Sequence, residues 1–360
     1  MMMSTARLSP RLAALASRRL KPPACRAATL QHREMSVLRD LMACVRSWFK
    51  RDAALTVAKP PAPASVRRVV LSTQRTGTKT CYLVDGNNLL YMVYDPTCSL
   101  TYNTMHVGAT VRFLQRIRDM ILVQRPDRLL VCFDTRQVTK RKKENPSYKA
   151  DRASMQPQLR PQFKLTTDAL QVLNLPIACV PGVEADDLIA SYSKACVADG
   201  YDVVIVSNDN DFLQLVDSTT VTVLKPSRNR LMRERDVRAM LHGGKPFLQP
   251  DIRALCGDRW GKTPGLPGGL SRREAVDLLE EHGGLLQLLN NLDKVEDETM
   301  HRRLTESAEM LRMSYRMTKL DDHLDLPIPL DDLVNHGAFN SDVLDPIIGT
   351  PAAAVVKAAL

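Results

Sequence analysis

Two groups of carboxylates, Glu184/Asp186/Asp187 and Asp209/Asp211, lie in the single stretch from Cys179 to Asp217. Between them the pattern predicts one amphipathic helix, Leu188 to Val197, and one buried strand, Val203 to Val206. Acids beside an apolar core are costly unless a cation compensates them, and a divalent metal is the simplest compensation. The second pair follows the C-terminal end of a strand, where open α/β sheets place their ligands.

The upstream sequence repeats the placement. CYLVDGNNLLYMVYD (81–95) reads as a buried strand ending in Asp85, with Gly86 allowing the turn that follows. A helix is expected from about Met105 to Val123, broken by Pro126. RLLVCFD (128–134) is a second buried strand, ending in Asp134. Either aspartate alone would pass as a helix N-cap; two of them, together with the downstream acids, favour one shared site. Further elements are expected at 157–175 (helix), Ile177–Val180 and 220–226 (strands) and 234–241 (helix).

The segment 135–152 changes character. It holds Arg136, Lys140, Arg141, Lys142, Lys143, Lys149 and Arg152, opposed only by Glu144 and Asp151, with Tyr148 beside Lys149. Cations for phosphate and a ring for stacking suit single-stranded nucleic acid; the plainer alternative is a solvated face. Farther on, 251–284 reads as helix, Gly/Pro-rich hairpin, helix. Backbone amides at a helix N-terminus make a phosphate seat, which Arg272 and Arg273 would reinforce. An ordinary helix–turn–helix connection fits the same spacing. Asp258 adds an eighth acid.

A length of 360 residues allows two domains, and 44% apolar content allows a sizeable core. No stretch reaches the roughly 18 apolar residues of a membrane span. The net charge of +10 sits at one end: residues 1–84 carry 16 Lys or Arg against 3 acids, leaving −3 for the rest. Any nucleic-acid surface is therefore a local patch. The eight cysteines form no C-x-x-C pair, which argues against zinc or a disulfide framework and for a reducing compartment. Residues 1–59, rich in Arg, Ala, Ser and Leu, have the composition of a mitochondrial transit peptide. A basic nucleic-acid-binding arm is the alternative. A Pro/Ala linker (60–79), a catalytic domain (80–245) with its basic arch (136–152), a helix–hairpin–helix region (246–330) and a tail without readable role (331–360) complete the expected organisation.

In combination, VDGNN, VCFD, the basic YK segment, GVEADD, SNDNDFLQLV and GD…PGLPG resemble the 5′ nuclease family, which includes the 5′–3′ exonuclease domain of bacterial DNA polymerase I and the flap endonucleases. The resemblance runs from about Cys81 to Leu330. It implies a mostly parallel α/β sheet flanked by helices, a helical arch and a helix–hairpin–helix region. It also implies a first Mg²⁺ or Mn²⁺ at Asp85, Asp134, Glu184, Asp186 and Asp187, and a second at Asp209, Asp211 and Asp258. Arg141 and Lys149 match the basic pair at the scissile phosphate. Tyr148 matches the base-stacking position and Arg152 the basic residue after it. Gly265, Gly268, Arg272 and Arg273 fall in the duplex-gripping hairpin.

Two departures stand out. Gly261 occupies a place where the family has another aspartate, which predicts a weakened second metal site. The hairpin is about one residue longer than the family's, which argues against the K⁺ ion that some relatives hold there. The implied substrates are 5′ flaps, nicked or branched DNA and RNA–DNA primer junctions, cut by a monomer with no membrane association, in company with mitochondrial replication proteins. No base-reading helix is evident, so no sequence specificity is expected. A non-catalytic binder of branched DNA and a small-molecule metal phosphatase are the rival readings; the second leaves the arch and hairpin unexplained.

Overall fold

The computed structural model describes residues 77–149, 154–258 and 263–358. The transit-type segment, most of the linker, Arg152 and Gly261 lie outside the described residues.

The centre is β1 (Lys79–Asp85), whose side chains alternate between two buried faces. Cys81 and Leu83 join one apolar cluster, Tyr82 and Val84 the other. Helix α1 (Gly86–Val93) follows at once, with Asp85 as its N-cap. Gly86 is needed for room rather than for backbone freedom: a Cβ there would meet the Phe133 ring at 2.6 Å.

A small hairpin, β2 (Thr101–Tyr102) and β3 (Met105–His106), takes the residues where the next helix was expected to start. Helix α2 runs Gly108–Asp119 and continues through a π-helical turn, Met120–Gln124. Strand β4 (Arg128–Cys132) ends two residues short of Asp134. The basic segment contributes a five-residue helix, α3 (Lys140–Glu144), capped by Thr139. Then come α4 (Arg160–Val172), β5 (Ile177–Ala178), α5 (Ala185–Ala198), β6 (Tyr201–Val206), β7 (Val221–Lys225) and β8 (Arg230–Met232).

The sheet order is β5-β4-β1-β6-β7-β8, parallel except where β8 pairs with β7. This is the mostly parallel α/β architecture expected. The chain first builds outward from β1 to β4 and β5, then crosses to β6 on the other side. The order therefore reverses at β1, and a crevice opens at the carboxyl ends of β1, β4 and β6.

Helices α6 (Glu234–Met240), α7 (Gln249–Cys256), α8 (Arg272–His282), α9 (Leu285–Asn290) and α10 (Glu298–Thr318) form the helical region. Its apolar residues, among them Ile252, Leu279, Leu304 and Leu311, belong to the same cluster as the α5 face of the sheet.

The tail is not featureless. Helices α11 (Asp345–Ile348) and α12 (Thr350–Ala358) pack on the opposite face, burying Leu344, Ile348, Ala352, Ala353, Val355 and Val356 with α2 and α4. Gln115 of α2 donates to the Val355 carbonyl at 3.2 Å, and Arg118 donates to that of Val356. Small residues gave weak periodicity, so the sequence hid this helix. Ile348 is 1% exposed, and Ile348→Ala is expected to cost about 2–5 kcal/mol. Urea denaturation of the whole chain checks this; an unmoved midpoint would place the tail outside the cooperative unit.

Candidate functional site

The acids arrive at the crevice on strand ends and helix starts, where the fold supplies donors for them. Asp85 Oδ1 accepts the Asn88 amide at 2.9 Å, and Oδ2 accepts the Ser207 hydroxyl at 2.8 Å. Burial nevertheless pushes its pKa up to about 6; Asp134 and Asp209 add to the rise, and the two hydrogen bonds oppose it. Asp134 accepts the Ala185 amide at 2.8 Å, at the start of α5. Asp186, in the first turn of α5, is driven well above the carboxylate range by burial, then by Asp85, Asp209 and Asp134. Asp209 caps a 3₁₀ turn, Asn210–Leu215, by accepting the Asp211 amide at 3.0 Å. Burial also raises Asp211, with Asp209 next. N-cap chemistry and a shared charged site are thus both present at Asp85.

Asp85, Asp134, Asp186 and Asp209 are coupled by mutual repulsion, which brings four of the eight predicted acids into one electrostatic unit. Among the described residues no three His, Cys, Asp or Glu side chains converge into a closed metal-binding group. Asp85, Asp134 and Asp209 are each held by their own donors, and Asp186 has the Lys149 ammonium at 3.9 Å. The chemistry still fits a hard divalent cation: the donors are carboxylate oxygens, and burial followed by neighbouring carboxylates raises the proton affinity of Asp85 and Asp186.

Glu184 and Asp187 are arranged differently. Successive helical residues point about 100° apart, so Asp187 cannot share the direction of Asp186. Arg141 grips Asp187 with two hydrogen bonds of 2.7 Å, and the Asp321 amide donates to Asp187 at 2.9 Å. The structure therefore removes Asp187 from the carboxylate cluster and makes it the anchor of Arg141.

Arg141 is buried, also reaching Glu184 at 3.2 Å and the Lys319 carbonyl at 2.8 Å. The sequence placed it on a phosphate; in the structure it is a structural cation locking α3 onto α5 and the segment after α10. Glu184 accepts Thr139 at 2.8 Å, Lys149 at 3.0 Å and Tyr148 at 3.3 Å. Burial works to raise the Glu184 pKa, but Lys149 and Arg141 outweigh it and hold it low.

Lys149 lies 3.9 Å from Asp186 as well, on left-handed backbone with φ of 54°. Such backbone is uncommon outside glycine and strain of this kind gathers at functional sites. The Lys149 ammonium also stands 4.9 Å from the Tyr148 ring centroid. Tyr148 is folded against Glu184, and burial lifts its pKa to about 12.

Asp258 does not join the first cluster. Arg253, which the sequence reading missed, binds it at 2.8 Å through Nε and also contacts Asp211. The signal was there, in the RALCGD run that puts an arginine five residues before the acid. Lys225 was missed too. Its ammonium donates to the Asp209 carbonyl at 2.7 Å, and burial lowers its pKa to about 8 against the pull of Asp209, Asp211 and Asp85. Asn88, to which the sequence reading gave no role of its own, accepts the Asn208 amide at 3.0 Å and so ties the β1 turn to the β6 turn.

The hairpin glycines serve the backbone first. A Cβ on Gly265 would lie 2.6 Å from the Gly257 nitrogen, and Gly265 has φ of 72°. Gly268 packs against the Arg303 guanidinium, which donates to the Pro267 carbonyl at 2.9 Å and also to that of Gly269. Arg272 and Arg273 open α8 in exposed positions, behind the Ser271–Glu274 capping box. Arg272 lines a cleft of about 910 Å³ shared with Asp209, Asp211, Arg253 and Asp258, and Arg273 lies 3.5 Å from Asp277.

Two stability predictions follow from these contacts. Arg141→Met strands two buried carboxylates and is expected to cost about 3–5 kcal/mol, read as a lowered urea midpoint; a surface phosphate contact would leave it unchanged. For Asp85 the folded pKa lies above the unfolded one, so its ionised form opposes folding. That penalty is absent below about pH 4, grows as pH rises towards 6 and reaches about 3 kcal/mol at neutrality. Asp85→Asn keeps an acceptor oxygen for the Asn88 amide and turns an NH2 donor towards the Ser207 hydroxyl oxygen, and is expected to raise the melting temperature of the metal-free protein at pH 7.5 more than at pH 5. An equal effect at both pH values would contradict the burial argument.

Family profiles match this chain twice. The 5′–3′ exonuclease N-terminal resolvase-like domain matches residues 80–242, and the 5′–3′ exonuclease C-terminal SAM fold matches 245–340. A 5′–3′ exonuclease of Aquifex aeolicus is 32% identical over 257 residues, covering 71% of this chain and 86% of the relative. A DNA polymerase I of Rhizobium leguminosarum is 32% identical over 262 residues, 70% of this chain but only 26% of the polymerase. Among solved structures, a bacteriophage T5 flap endonuclease complex with DNA and metal ions superposes with a TM-score of 0.57 at 19% identity, over 78% of this chain and all of that one. Human GEN1 in complex with Holliday junction DNA gives 0.51 at 13% identity, over 77% and 71%. These likenesses speak for the fold. The profiles and the Aquifex relative speak for more: the chain belongs to the 5′–3′ exonuclease family, enzymes that hydrolyse phosphodiester bonds.

Proposed function

We propose that this enzyme is a divalent-metal-dependent, structure-specific 5′ nuclease that removes 5′ flaps, nicked-strand ends and RNA primers. The observation that carries the reading is the rim of mutually repelling carboxylates, Asp85, Asp134, Asp186 and Asp209, flanked by the basic segment and the hairpin. Asp85, Asp134 and Asp186 would hold a first Mg²⁺ or Mn²⁺, and Asp209, Asp211 and Asp258 a second. Bound there, such ions supply an ionised water and charge for the leaving 3′ oxygen.

The chain's own residues do the rest. Glu184 holds Lys149 and Tyr148 at the rim, so an ammonium meets the incoming phosphate and a ring meets a displaced base. The segment around α3 is anchored beside the acids by Arg141 on Asp187 and Lys149 near Asp186, a position suited to the free 5′ strand. The α8 start presents Arg272 to the cleft that holds Asp209, Asp211 and Asp258, with Arg273 exposed beside it, and suits the duplex backbone. Shape and charge, not base edges, would select the substrate. The acid-poor, Arg-rich segment 1–59 supports a mitochondrial setting in DNA replication and repair.

The test is cleavage of a 5′-labelled flap duplex by the full chain with Mg²⁺, with Mn²⁺ and with EDTA. Metal-dependent release of the 5′ arm near the junction is expected. Asp134→Ala and Asp209→Ala should each slow cleavage by at least about 100-fold while DNA binding persists. Lys149→Ala should slow single-turnover cleavage more than it weakens binding. Tight binding without cleavage under both metals would overturn the proposal in favour of a branched-DNA binder.

A further inference from the structure

The second group of acids already holds a cation of the chain's own. Arg253 projects from the last turn of α7, and its guanidinium bridges Asp211 of the 3₁₀ turn and Asp258 beyond the helix. Nε donates to Asp258 Oδ2 at 2.8 Å, and terminal nitrogens reach Asp211 Oδ1 and Asp258 Oδ2. All three side chains are largely enclosed, 23% exposed for Arg253, 22% for Asp211 and 17% for Asp258.

The bridge is built into the backbone. Gly257 turns the chain with φ of 76°, and a Cβ there would meet the Thr263 carbonyl at 2.8 Å. The turn brings Asp258 back over the guanidinium, and the Asp258 amide fixes it by donating to Thr263 at 2.9 Å. On the other side, Gln249 of the same helix donates to the Asn210 carbonyl at 3.0 Å, docking α7 on the turn that carries Asp211.

A guanidinium shared by two carboxylates neutralises them and occupies the oxygens a metal would use. It does not deprotonate in proteins, so pH cannot clear it. We propose that Arg253 gates the second divalent site. As a positioning residue it keeps Asp211 and Asp258 in place while the site is metal-free, and the second ion must displace it to bind. At the first set Lys149 is bonded to Glu184 at 3.0 Å and stands 3.9 Å from Asp186; the two ions therefore bind in sequence, the second weakly. This inference rests on the metal-dependent reading above.

The experiment is a Mn²⁺ titration of the full chain without DNA, with free Mn²⁺ counted by electron paramagnetic resonance. Wild type is expected to show two steps. In Arg253→Gln the second step moves to at least about tenfold lower Mn²⁺ and the first stays. Arg253→Lys, which keeps the charge, stays near wild type. A second step unmoved or weakened in Arg253→Gln overturns the gate while leaving the first site intact. No binding in wild type overturns the metal reading itself and the gate with it. Should Arg253→Gln fail to fold, wild type decides alone. The Arg253 Nε–H resonance, protected from exchange without metal, loses protection at the second step of a Mg²⁺ titration; protection retained to saturation overturns the proposal.

Discussion

The rim depends on one constraint, the parallel pairing of β1 with two strands that reach it from opposite directions. Val84 stands level with Val131 on one side and Val206 on the other. Asp85, Asp134 and Asp209 therefore emerge within a few residues of the same level. Burial of both faces fixes the register, because a slip by one residue would exchange the faces of a whole strand. Fully burying an aliphatic side chain contributes about 1.5–3 kcal/mol. Several on each strand make the register far more strongly determined than any contact among the acids. The hydrophobic layers position the carboxylates, and the carboxylates then strain against the position they are given.

That strain explains where the basic residues went. Seven basic residues in 135–152 read from sequence as one solvated, phosphate-binding surface. Of the six among the described residues, Arg141 turns inward onto Asp187 and Glu184, and Lys149 onto Glu184 and Asp186. Buried carboxylates are expensive, and nearby cations are the compensation the chain carries itself. The count of charges was legible; their allocation between solvent, phosphate and internal pairs was not.

The α/β class, the strand-end acids and the helix–hairpin–helix order were legible because each has a local signature. Short continuous apolar runs ending in an acid mark the strands, and Gly/Pro clusters mark the hairpin. Whether neighbours on a helix share a direction was legible in principle, yet GVEADD invited a single ligand set. The 100° step between Asp186 and Asp187 divides it. Long-range facts escaped. Arg253 looks like any charged residue on an amphipathic helix until α7 docks on the Asp209–Asp211 turn. The α12 helix, TPAAAVVKA, has so little polar contrast that only its partners Gln115 and Arg118 reveal its place.

The helical region is bound to the site by polar links as well as by a shared apolar core. Arg141 donates to the Lys319 carbonyl, Asp187 accepts the Asp321 amide, and Gln214 bonds both the Thr318 carbonyl and the Leu320 amide. Arg253 bonds Asp211 across the same boundary. Each of these groups is a site residue or within three residues of one, or lies at the end of α10 or just past it. If the helical region grips the duplex as proposed, it needs rigid spacing from the acids, because small displacements of reacting groups are costly. Here the spacing is set by hydrogen bonds that begin on the acids themselves. The helical region therefore shares the electrostatics of the rim: what changes the charge on Asp187 or Asp211 also changes how firmly α7 and the end of α10 are held.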